Sequence, residues 1–125
     1  MRVKNENLLD DSGPVDLSLS ADLKSVWLGH IANYSIQLQF TGAPQGNFRL
    51  QASNDPGRID AASGVLQVSN IAIWTDIADS AQTISAAGDH MWTVENAGYT
   101  WVRVVWTQTG GSGTLTSARA YVKGI

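Results

Sequence analysis

The chain contains no cysteine, which excludes disulfides and thiolate metal sites. Charge is scarce as well: Asp, Glu, Lys and Arg make up 15% of 125 residues, against roughly 25% in an average soluble domain. The eight basic residues are scattered and the net charge is -3, which argues against nucleic acid as a partner, because phosphate binding needs clustered Lys and Arg. No run approaches the ~20 apolar residues of a membrane helix. The opening Met1-Arg-Val-Lys-Asn-Glu-Asn7 has no apolar segment behind it, so neither a membrane anchor nor a secretory signal is expected. No window shows a helical period with caps, and no repeat of fixed length occurs. With 43% hydrophobic residues, the remaining surface must be built from Gly, Ser, Thr, Asn and Gln. Such a surface suits particle-bound or extracellular β-proteins, and faces covered by other subunits.

What is present alternates with period 2. Val15, Leu17 and Leu19 oppose Asp16, Ser18 and Ser20, a half-buried strand. In residues 31–41, Tyr34, Ile36, Leu38 and Phe40 oppose Ser35, Gln37, Gln39 and Thr41, so the outer face is polar without charge. Turn chemistry in Gly42-Ala-Pro-Gln-Gly46 predicts a hairpin into residues 47–54, with Phe48, Leu50 and Ala52 inward. Short strands are expected near 65–68, 71–77, 81–86 and 90–95. The densest block of β-branched and aromatic residues is Tyr99 to Thr109. Gly110-Gly111-Ser112-Gly113 and the alternating run 114–123 follow it, which reads as a second hairpin. Val102, Val104 and Trp106 share one face there; Trp101, Arg103, Val105 and Thr107 share the other. Apolar character on both faces marks a central strand, and Arg103 then needs a partner. Asp76, Asp89 and Glu95 are the carboxylates available, with Arg119 able to face it across the ladder. Several short strands with regular turn signals give an all-β, antiparallel β-sandwich of jelly-roll or discoidin-like arrangement. The expected organisation is a polar N-terminal arm over 1–13 and the sandwich domain over 14–125.

The segments Leu50-Gln-Ala-Ser-Asn-Asp55, Trp74-Thr-Asp-Ile77 and Tyr99-Thr-Trp-Val-Arg-Val-Val105 resemble a pattern of discoidin-like sandwiches. The stretch 34–124, with Ser85-Ala-Ala-Gly-Asp89 and Lys123-Gly124, is similar to small β-sandwich structural proteins of tailed bacteriophages. That resemblance implies a virion component: a capsid decoration or cement protein, a head fibre, or a tail accessory. Its partners would be the major capsid protein or tail subunits, and it would form a homo-oligomer such as a trimer. Residues 56–68 form an insertion where a tighter turn is expected, suited to a contact particular to this chain. Discoidin-like domains often carry a structural calcium near such a loop, and Asn54, Asp55, Asp60 and Asp76 offer oxygens for one. Against this, Asn54-Asp55-Pro56-Gly57 is also a turn chosen for backbone geometry, and no cofactor is expected.

No catalytic constellation stands out, and an enzyme is not expected. His30 and His90 are far apart and read as polar residues at strand edges; zinc needs three or four clustered ligands. There is no Gly-x-Ser-x-Gly elbow, and Asp76 with Asp79, or Asp89 with Glu95, would need a cleft that 125 residues leave little room for. Contact residues are sought among large apolar side chains in segments outside the predicted core: Leu8 and Leu9 in the arm, Trp27, and Ile59 in the insertion. The alternative is a carbohydrate-binding or host-receptor adhesin module. Five tryptophans are many for this length; Trp27, Trp74 and Trp92 are the candidates for stacking on sugar rings, Trp74 and Trp92 foremost, since Trp101 and Trp106 belong to the central strand, against the alternative that all five fill the core or an interface.

Overall fold

The computed structural model describes residues 3–9, 13–28, 32–54, 58–59, 66–67 and 73–124, the two short pairs as backbone only. All regular structure in them is β. In chain order the strands are β1 (Val3–Asn7), β2 (Val15–Asp16), β3 (Ala21–Asp22), β4 (Val26–Trp27), β5 (Ala32–Ser53), β6 (Arg58–Ile59), β7 (Leu66–Gln67), β8 (Thr75–Asp76), β9 (Gln82–Ile84), β10 (Gly88–Ala97) and β11 (Trp101–Gly124).

The two expected hairpins do not form. β5 and β11 each run straight through their glycine-rich centres and pair antiparallel with each other, from Trp101 opposite Ser53 to Gly124 opposite Ala32. The two glycine clusters meet at the middle of this ribbon, Gly113 against Gly42 and Gly111 against Pro44. Register shifts on either side, between Gln108 and Gly110 and between Leu115 and Ser117, mark bulges, which bend a strand and increase its twist. The glycines that looked like turns therefore make a corner. Pro44, which has no N–H to give a ladder, is buried there.

The corner folds the ribbon into two layers. In the first, β1, the C-terminal half of β11, the N-terminal half of β5 and β10 lie side by side. In the second, the other halves of β11 and β5 are flanked by β3 and β4 on one edge and by β8 and β9 on the other. β2 closes on β11 at Thr114 and Leu115. The result is the expected antiparallel β-sandwich, made from one curled sheet.

One apolar cluster fills the space between the layers. Tyr34, Ile36, Leu38 and Phe40 come from one half of β5 and Phe48 and Leu50 from the other, as their alternation predicted. β11 contributes Val102, Val104 and Trp106, then Leu115, Ala118, Ala120 and Val122. The change of parity between Leu115 and Ala118 is the work of the second bulge, where one extra residue turns the following set over. Phe48 stands 4.5 Å from Trp106 and 5.6 Å from Phe40, an aromatic row around the corner.

Two further expectations change. Residues 3–7, expected in a loose arm, are an edge strand registered on β11, Val3 opposite Lys123 to Asn7 opposite Arg119. The strand expected over 15–20 stops at Asp16, whose carboxylate accepts from the Ser18 amide and hydroxyl (2.9 and 2.7 Å), a side-chain turn. Leu17 is then fully buried while Leu19 is 67% exposed.

Candidate binding surfaces

The end of β1 and the segment around β4 enclose a groove of about 370 Å³, lined by Glu6, Asn7 and Leu9, by Lys24, Ser25 and Trp27, and by Trp101 at its base. The backbone explains why these segments meet. The Leu8 amide donates to the Ala118 carbonyl (2.8 Å), extending the β1 ladder, and the Leu8 carbonyl accepts from the Lys24 amide (3.3 Å). Trp27, opposite Trp101 in the ladder, is 42% exposed. Lys4 fixes it: its ammonium donates to the Trp27 carbonyl, lies 5.6 Å from the ring centroid and pairs with Glu6 at 3.2 Å. The groove thus brings together two of the predicted contact residues, Leu9 and Trp27. Leu8 is a correction. It is 1% exposed and packs in the core, because an edge strand that pairs through Asn7 turns the next apolar side chain inward.

The outer face of the second layer carries a polar network. Arg103 donates through Nε and Nη2 to Gln51 Oε1 (2.9 and 2.7 Å) and sits 3.4 Å from the Asp22 carboxylate. Its guanidinium lies 4.3 Å from the centroid of the Trp74 ring, a cation–π contact. Burial pulls its pKa below the ordinary value, with Asp22 opposing that shift and Arg49 adding to it. None of the three expected carboxylates is its ion-pair partner. Asp76 pairs with Arg49 (3.0 Å) and accepts from Gln51 Nε2 (2.8 Å), while Asp89 and Glu95 lie on β10 in the other layer. Arg119 is there too, opposite Gln37. Asp22 was missed because its two-residue strand has no alternation to announce it. Trp74, proposed as a sugar platform, already has a guanidinium against its ring.

Trp92 is a second correction. It is only 9% exposed, its indole N–H donates to the Ser80 carbonyl (2.8 Å), and His90 packs edge-on at 4.6 Å. A ring covered in this way has no face to offer a sugar. Ser80 is itself buried, its hydroxyl accepting from the Leu50 amide (3.0 Å) and bonding the Ile77 carbonyl (2.7 Å). Within the insertion, Ile59 is in β6 and pairs through its backbone with Leu66 of β7. Of the oxygens considered for calcium, Asp55 and Asp60 lie outside the described residues. Asn54 Oδ1 accepts from the Thr100 amide (3.0 Å), and Asp76 is held by Arg49 and Gln51.

His90 makes stability depend on pH. Its Nε2 is buried with no hydrogen-bond partner among the described residues. Burial pushes its pKa below the ordinary 6.5, with neighbouring Asp89 pulling the other way. The unfolded chain therefore takes up this proton first. Stability is full above 6.5 and declines as pH falls through 6.5 towards the lower folded-state value. Melting temperatures measured between about pH 7.5 and 5.5 fall in the wild type, and the slope flattens in His90→Gln. An unchanged slope in that variant would place the proton uptake elsewhere. Asp76 acts in a separate window: Gln51 and Arg49 hold its pKa below 3.8, so its contribution is lost only as pH falls through that value.

The neutral face predicted for residues 31–41 is the centre of a wider surface on the first layer. Register places Asn5, Tyr121, Ser35 and Thr93 in one outward row, and Asn7, Arg119, Gln37 and Met91 in the next. Tyr121 and Met91 are 46% and 50% exposed. Both were legible as the off-phase members of strands whose other phase is apolar.

The sequence matches no family model and no curated protein. Solved structures are similar in fold. A crystal structure of the SPBc2 prophage-derived protein YomS aligns with 97% of this chain and 92% of its own at 12% identity, TM-score 0.53. Chitosan-binding module 1 of a chitosanase/glucanase from Paenibacillus sp. IK-5 aligns over 98% and 76% at 18% identity, TM-score 0.48. A structure of infectious bursal disease virus, Gx strain, aligns over 97% and 32% at 17% identity, TM-score 0.44. At such identities the first of these shows a shared β-sandwich fold.

Proposed function

We propose that this chain is a structural component of a bacteriophage virion, docking on capsid or tail subunits by surface burial and not by catalysis. The observation that carries the reading is the groove where Leu9 and the half-exposed Trp27 stand over Trp101. An aromatic anchor beside a cleft, rimmed by Glu6 and Lys24, is the composition of an interface centre. The fold likeness to a prophage-derived protein is in keeping with it. The test is co-sedimentation with particles of the phage that encodes the chain. Wild type stays with particles at fixed stoichiometry, and Trp27→Ala loses occupancy about tenfold or more while melting close to wild type. Full occupancy of Trp27→Ala would sink the proposal.

One observation favours a second reading, a carbohydrate-binding or adhesin module. The same indole is flanked by Glu6, Asn7, Lys24 and Ser25, an apolar ring edge with hydrogen-bonding groups around it, which is the chemistry that seats a pyranose. Glycan-array binding abolished by Trp27→Ala, with no retention on particles, selects this reading.

A further inference from the structure

We infer that the outer face of the first layer is a two-fold interface with a second copy of this chain. β11 carries Arg119 and Lys123 outward, and β10 carries Asp89 and Glu95 outward; all four are exposed. None of the four has an ion-pair partner among the described residues. Between them runs β5, whose outward residues Asn33, Ser35, Gln37 and Gln39 are neutral. The face is therefore divided into a basic stripe and an acidic stripe, each one strand spacing of about 4.8 Å from the neutral centre.

A two-fold axis lying along β5 exchanges β11 with β10. Basic stripe then meets acidic stripe twice, as an isologous contact requires. Lys123 is opposite Asn33, and Glu95 stands in the bulge between Val94, opposite Tyr34, and Ala97, opposite Ala32, so the two lie near the same height along β5. The rotation puts Lys123 of one copy over Glu95 of the other. Arg119, at the height of Gln37, comes within reach of Asp89, at the height of Gln39. Tyr121 comes over Thr93, and Met91 over the stem of Arg119.

The axis overlays three strands, β11, β5 and β10, which span roughly 14 Å over a paired length of roughly 30 Å, so two copies bury about 850 Å², the size of a weak, transient contact. Association is accordingly weak and salt-sensitive, since the charges stay close to solvent.

Charge reversal tests this in both directions. Sedimentation velocity at up to about 100 μM shows the wild type as a dimer, with more monomer at high salt. The doubly reversed chain Arg119→Glu/Lys123→Glu dimerises about 100-fold or more weakly, and so does Asp89→Lys/Glu95→Lys, because each then opposes like charges. An equimolar mixture of the two restores a dimer, since every contact is again between opposite charges. Each variant keeps the wild-type melting curve, all four residues being exposed. A monomeric wild type, a three-fold assembly, or a mixture that stays monomeric would overturn the inference.

Discussion

Trp106→Ala lowers folding stability by about 3–5 kcal/mol, the range for deleting a buried aromatic. The indole is 1% exposed and packs 4.5 Å from Phe48, its direct ladder partner. Its N–H donates to the Leu17 carbonyl at 3.0 Å, so truncation leaves a cavity and an unpaired buried carbonyl together. The bond also spans the chain: it ties the segment after β2 to the central ribbon. At roughly 4 °C per kcal/mol for a domain of this size, the melting temperature drops by more than about 10 °C. Trp106→Phe separates the two contributions, keeping most of the packing and losing the hydrogen bond, and costs less. Circular dichroism melts of the three proteins check this. A Trp106→Ala protein melting within a few degrees of wild type would contradict the central place given to this ring.

Gly42→Ala costs about 3 kcal/mol or more. Gly42 has φ of +82°, a conformation that costs an L-residue about 1–2 kcal/mol by itself. A Cβ there would also stand 2.8 Å from Gly113 Cα and 2.9 Å from the Ser112 carbonyl oxygen. Both are backbone atoms of the paired strand, so the collision cannot be relieved by a rotamer. The ribbon must open at its corner, where both layers depend on it. This substitution separates the observed topology from the local hairpin: in a hairpin through residues 42–46, Gly42 would have no reason to touch Gly113, and only the backbone cost would remain. Gly46 supplies a related close approach, since a Cβ there would meet the Trp106 ring at 2.9 Å. Chemical denaturation of Gly42→Ala gives the magnitude, and a loss of only about 1–2 kcal/mol, the backbone cost alone, would favour the hairpin.

The binding surfaces were only partly readable. Leu9 and Trp27 carried a signal as large apolar residues outside any strong alternation, and the structure sets them in one groove. Leu8, next to Leu9 and of the same chemistry, is in the core; which of two adjacent leucines turns inward depends on where the β1 ladder ends. Trp74 and Trp92 looked equivalent in sequence. One lies against Arg103, the other is sealed by Ser80 and His90, and both partners come from distant positions in the chain. Asp22, which neutralises Arg103, had no sequence signal at all.

By itself the sequence determined which side chains face the core along β5. Alternation is a local property of extended backbone, with successive Cβ atoms on opposite faces whatever strand lies alongside. It determined, too, that the surface would be neutral and polar. Only the tertiary structure decided the pairing. Glycine clusters at 42–46 and 110–113 serve a tight turn and a corner equally well, because both ask for positive φ and close backbone approach. Pairing β5 with β11 through both clusters stacks the two corners, carries one ribbon into both layers, and aligns a basic strand and an acidic strand on either side of a neutral one. That choice rests on contacts some 50 to 90 residues apart, and no local pattern records them.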